Sequence, residues 1–125
     1  MRVLLADNHA QALWGLKAMF EEQPGLNLVG EAVDAENLLM VAKKSSADLV
    51  LVDCELPGSP IADLITSLHK LEPRPIVIVM SSEIENSRAL LKAGADAFVS
   101  KGEPDWLLEI LHTYVKRLNN GCASE

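Results

Sequence analysis

Sulfur, aromatic rings, basic charge and long apolar runs are all scarce in this chain, and each scarcity removes a class of protein. Cys54 and Cys122 are its only cysteines. Two thiols so far apart in sequence form no disulfide framework and match no metal-ligand spacing. No apolar run approaches the ~20 residues that span a bilayer. No leader of basic, apolar and small residues stands at the start, so a reduced, cytoplasmic protein is expected. Basic residues number 11 against 18 acidic ones, a formal net charge of −7. Phosphate backbones and anionic lipid surfaces repel such a chain, so neither direct nucleic-acid binding nor membrane association is expected.

What is present reads as one globular domain. A hydrophobic share of 49% with 23% charged residues argues against disorder, and 125 residues suit a single core. Five short apolar runs recur, at Val3–Ala6, Leu26–Gly30, Leu49–Val52, Ile76–Met80 and Ala97–Val99. The first, third and fourth are unbroken and rich in Val, Ile and Leu, as strands buried on both faces of a parallel sheet are. Segments with helical spacing lie between them. Their apolar sets are Leu13, Leu16 and Phe20, then Leu38, Leu39 and Ala42, then Leu64, Ile65 and Leu68, then Leu90 and Leu91, then Leu107, Leu108, Leu111 and Val115. Five strand–helix units predict a three-layer α/β/α fold, a doubly wound five-stranded parallel sheet with five helices. The domain is expected to occupy 1–118. Residues 119–125, without apolar period, are expected to be a tail or the start of a linker.

In an open α/β sheet, ligands bind beyond the carboxyl ends of the strands. There the chain places Asp7-Asn8-His9, Asp53-Cys54-Glu55 followed by Pro57-Gly58, Ser81-Ser82-Glu83, and Ser100-Lys101-Gly102. Two carboxylates, an amide, a hydroxyl and an ammonium therefore converge on one edge. Oxygen ligands suit a hard cation, most naturally Mg²⁺. A lysine and a hydroxyl beside a metal and a carboxylate suit a phosphoryl group. His9 is expected to be a packed or capping residue, Ser82 a helix cap, and Cys54 a small buried hydrophobe.

These strand ends carry a resemblance. Leu4-Leu5-Ala6-Asp7-Asn8-His9-Ala10, Val29-Gly30-Glu31-Ala32, Asp48–Asp53, Leu56-Pro57-Gly58, Ala93–Phe98 and Lys101 stand in order. From position 2 to about 118 the chain resembles the receiver domains of two-component response regulators, NarL/FixJ-type, with the flavodoxin-like (CheY-like) fold. The resemblance implies that Asp53 is the phosphoacceptor for a sensor histidine kinase. It implies that Mg²⁺ is held by Asp7, Asp53 and the Glu55 carbonyl. It further implies that Lys101 and Ser81 contact the phosphoryl group, and that Ser81 and Phe98 form the switch pair. The implied output is transcription, through a helix-turn-helix effector domain outside these 125 residues. Such a receiver is a self-modifying acceptor and not a turnover enzyme.

Three positions depart from the family pattern. Asn8 replaces the second acid at the metal, Pro60-Ile61 replaces Asp-Gly, and Gly102 stands where many receivers have proline. Asn8 weakens the expected Mg²⁺ site. It also opens an alternative, a degenerate receiver that acts as a phosphorylation-independent interaction module. An unrelated flavodoxin-like or phosphatase-type enzyme lacks support, because no glycine-rich phosphate loop follows the first strand.

The scarce aromatics add one more expectation. Leu13 and Trp14 on the first helix, with Trp106, Ile110 and Tyr114 on the last, are expected to form one exposed apolar patch. Such a patch would suit a twofold homodimer through those two helices.

Overall fold

The computed structural model describes residues 1–82, 87–101 and 103–124, with the backbone alone for 87, 104 and 118–124. Glu83, Gly102, and the side chains of Leu118 and Cys122 lie outside the described residues. The elements alternate as expected: β1 (Arg2–Ala6), α1 (Ala10–Glu21), β2 (Asn27–Ala32), α2 (Ala35–Ser45), β3 (Leu49–Asp53), α3 (Ile61–His69), β4 (Ile76–Ser81), α4 (Ser87–Lys92), β5 (Ala97–Ser100) and α5 (Pro104–Ser124).

The strands pair in parallel in the order β2-β1-β3-β4-β5. The chain order reverses between β1 and β3, so the crevice that such a reversal opens lies at their carboxyl ends. The period-2 alternation of the strands divides the core into two layers. Val3, Leu5, Leu49, Leu51, Ile78, Met80 and Val99 pack under α1 and α5. Leu4, Ala6, Val50, Val52, Val77, Val79 and Phe98 pack under α2, α3 and α4. All five residues of β3 are buried, as an unbroken apolar strand at the centre of a sheet requires.

Two glycines set close approaches that hold the site edge. Gly58, at φ +108°, lies against the start of α2, where an added Cβ would stand 3.3 Å from the Ala35 nitrogen. The adjacent Pro57 carbonyl accepts the Ala35 N–H at 2.9 Å. The Asp53–Pro60 loop is thereby tied to α2. Gly30 lets β2 pass under α2, since an added Cβ there would meet Val41 and Leu4 side chains at 2.8 and 2.9 Å. The start of α2 is capped by the Asp34 carboxylate, which accepts the Asn37 N–H at 2.8 Å.

α5 continues through Ser124 as helix. Lack of an apolar period removes the packing drive, but residues 105–124 contain no proline to break the backbone ladder. One expectation is corrected. The continuous exposed patch on α1 and α5 does not form. Leu13 is buried, 7% exposed, in the layer under α1 and α5. Ile110 and Tyr114 are half-buried against that same layer. Trp106 turns the other way, round the β5 edge, and meets Phe98 edge-to-face at 6.1 Å in the opposite layer. Trp14 alone of the five is exposed, at 76%. No helix of the described residues is long and apolar enough to cross a membrane.

Candidate functional site

Register brings the two acids together. Ala6 of β1 pairs with Val52 of β3, so the next residues, Asp7 and Asp53, leave adjacent strands side by side. Both are buried, at 0% and 1% exposure. Two carboxylates in that position repel each other unless a cation lies between them. Lys101, just beyond β5, supplies one. Its Nζ donates to Asp53 Oδ2 at 2.8 Å and stands 3.0 Å from Asp7 Oδ2. Lys101 is positioned by its own N–H, which donates to the Ser81 carbonyl at 3.0 Å.

The remaining donors come from the loops. The His9 N–H donates to Asp7 Oδ1 at 3.0 Å, and the Glu55 N–H donates to Asp53 Oδ1 at 3.1 Å. His9 Nδ1 lies 2.9 Å from Asp7 Oδ1 and 3.6 Å from Asp53 Oδ2. His9 is therefore neither packed nor capping: it occupies the N-cap position of α1 without a side-chain cap bond, and its ring is 58% exposed over the acids. Its position two residues after Asp7, in one loop, was the available sequence signal.

Asp7 and Lys101 favour their charged forms. Burial alone would raise the Asp7 carboxyl. The His9 N–H, the Lys101 ammonium and the His9 ring outweigh it and hold Asp7 below its ordinary value of 3.8. Burial likewise works against the Lys101 ammonium, but Asp53 and Asp7 overcome it and raise Lys101 above 10.5. The Cys54 thiol is pushed up by burial, with the Asp53 and Glu55 charges adding and a hydrogen bond with Ser81 opposing. That leaves Cys54 a protonated, half-buried filler, close to the role expected of it.

The site fits a divalent cation. Asp7, His9 and Asp53 offer ligand atoms that all lie within 4.8 Å of one another. Asp7 Oδ2 meets the Lys101 ammonium at 3.0 Å and has no further hydrogen-bond partner among the described residues. Asn8 is exposed beside Asp7, on a shallow groove with Trp14, Lys17, Glu31 and Val33. Glu55 is exposed, Ser81 is buried at the end of β4, and Phe98 is buried one strand away.

Residues 3–112 match the family model described as "Response regulator receiver domain". The nitrate/nitrite response regulator protein NarL of Escherichia coli K12 is 33% identical over 113 residues, covering 88% of this chain and 52% of NarL. The transcriptional regulatory protein LiaR of Bacillus subtilis 168 is 30% identical, covering 81% of this chain and 49% of LiaR. The chain thus spans about half the length of these curated relatives. Among solved structures, the non-phosphorylated receiver domain of the stress response regulator RcsB from Escherichia coli superposes with a TM-score of 0.83 at 26% identity. That match covers 97% of this chain and 94% of the RcsB chain.

Proposed function

We propose that this chain, which belongs to the response-regulator receiver family of two-component systems, accepts a phosphoryl group on Asp53 from the phosphohistidine of a sensor histidine kinase. An Asp53 carboxylate oxygen attacks phosphorus, the P–N bond breaks, and the imidazole leaves. The observation that carries this reading is the Lys101 bridge, with one ammonium 2.8 Å from Asp53 and 3.0 Å from Asp7 at a strand-end crevice. An ammonium so placed can pass from the carboxylate to an incoming phosphoryl oxygen without leaving the site. Asp7 and Asp53 are the side chains that would hold Mg²⁺, with the Glu55 carbonyl as a third ligand. The cation, when bound, neutralises charge between the acids and the phosphoryl group. Ser81 at the end of β4 and Phe98 in β5 are the proposed switch pair. The chain is a self-modifying acceptor, and its output is transcriptional through an effector domain outside these 125 residues, as the name of LiaR suggests.

Acetyl phosphate with Mg²⁺ should add one phosphate to the wild type and none to Asp53→Asn, read by intact mass. A wild type left unmodified at saturating donor overturns the reading and favours a phosphorylation-independent interaction module.

Asn8 sets how tightly the cation is held. A carboxylate there adds a charge toward a dication, though desolvation and repulsion from Asp7 and Asp53 cancel most of the gain. Asn8→Asp is expected to tighten Mg²⁺ about tenfold, or ~1.4 kcal/mol, and to destabilise the metal-free fold by crowding a third acid into the site. Calorimetric titration and urea unfolding measure the two effects. No change in either places Asn8 away from the cation.

A further inference from the structure

We infer that His9 is a metal ligand, and that it biases the Asp7–Asp53 site toward nitrogen-preferring divalent transition ions such as Co²⁺ over Mg²⁺. This rests on the cation site proposed above and adds a donor that the receiver resemblance does not include. Three observations carry it. The first is spacing. Adjacent ligands each about 2.1 Å from a metal stand about 3 Å apart in an octahedral shell. His9 Nδ1 and Asp7 Oδ1 are already 2.9 Å apart, and Asp53 Oδ2 is 3.6 Å from the same nitrogen. The second is freedom. The ring is 58% exposed and makes no cap bond to α1, so a small rotation closes the longer distance without displacing a packed group. The third is the fully buried Asp7 carboxylate, whose Oδ1 faces the His9 ring while its Oδ2 meets only the Lys101 ammonium.

The chemistry follows from the donor set. Mg²⁺ takes oxygen ligands and gains little from imidazole, whereas the later first-row ions bind imidazole nitrogen well. A carboxylate only accepts, so in the metal-free site Nδ1–H donates to Asp7 Oδ1; a bound cation takes the Nδ1 lone pair once the ring holds its proton on Nε2 instead. With an amide at position 8, the site offers two carboxylates and one imidazole, a mixed set that suits a transition ion better than an all-oxygen shell does.

The test titrates the full chain with Mg²⁺ alone and with Co²⁺ alone at neutral pH, for wild type, His9→Ala and Asp53→Asn. Calorimetry gives affinity, and the Co²⁺ ligand-field absorption reports whether nitrogen is bound. His9→Ala is expected to weaken Co²⁺ about tenfold or more, shift its absorption, and move Mg²⁺ by less than about twofold. Asp53→Asn is expected to weaken both ions. If His9→Ala changes neither ion, or changes both equally, while Asp53→Asn weakens both, His9 is not a ligand and the cation site stands without it. If Asp53→Asn leaves Mg²⁺ binding unchanged, the cation site itself is misplaced and the inference falls with it.

Discussion

Lys101→Met is expected to destabilise the metal-free protein by about 2–4 kcal/mol at neutral pH and to slow phosphoryl uptake roughly a hundredfold or more. The stability loss comes from what the lysine leaves behind. Asp7 and Asp53 are 0% and 1% exposed, and each would remain a buried carboxylate facing the other. The upper end of the usual cost for breaking a buried pair does not apply, because the Lys101 side chain is 24% exposed and water can take its place.

The pH dependence has a definite sign. In the wild type Asp7 is held below 3.8, so its contribution is present above that value and is lost as pH falls through the lower folded value. Lys101 is raised above 10.5, so its contribution is present below that value and is lost as pH rises through the higher folded one. The wild type therefore weakens at the two extremes. In Lys101→Met the two Lys101 contributions that lower Asp7 are gone while the His9 contacts remain, so the folded Asp7 carboxyl binds a proton more readily than it does in the wild type. Acidification from pH 7 toward about 5 should then stabilise the variant relative to wild type. Saturating Mg²⁺ should restore part of the loss by placing charge between the same acids. Urea unfolding at the two pH values, with and without Mg²⁺, measures all of this. A metal-free variant as stable as wild type at pH 7 would show that the acids do not need the lysine.

Leu111→Ala is the second large effect, a loss of about 3–5 kcal/mol. Leu111 is fully buried between α5 and the sheet, in the layer that contains Leu5, Leu51 and Ile78. Truncation there leaves a cavity walled by strand residues that cannot collapse inward without breaking the sheet register. Trp14→Ala removes a larger side chain and should cost less than about 0.5 kcal/mol, because the ring is 76% exposed. The pair separates residue size from burial. Chemical denaturation of both variants decides it. A Trp14→Ala loss comparable to Leu111→Ala would mean that the ring is covered in solution, and a concentration-dependent midpoint would then reveal a second copy as the cover.

The sequence by itself determined the alternation of strands and helices and the edge on which the chemistry lies. Unbroken runs such as Leu49–Val52 can be satisfied only when both faces are covered, and parallel order then places every strand end on one side. Asp7, Asp53, Ser81 and Lys101 each follow such a run, so their convergence was legible without coordinates. Only the tertiary structure decided which neighbours of those residues join them. Loop residues have no period, so nothing in Asp7-Asn8-His9 distinguishes an imidazole lying over the acids from one turned to solvent. Helical spacing likewise assigns a residue to a face of its own helix and is silent on what that face meets. Leu13 faces the sheet, while Trp106 passes round the β5 edge to Phe98. Those outcomes depend on how α1 and α5 sit against strands distant in sequence, and that placement is set by packing of the whole core and by no local pattern.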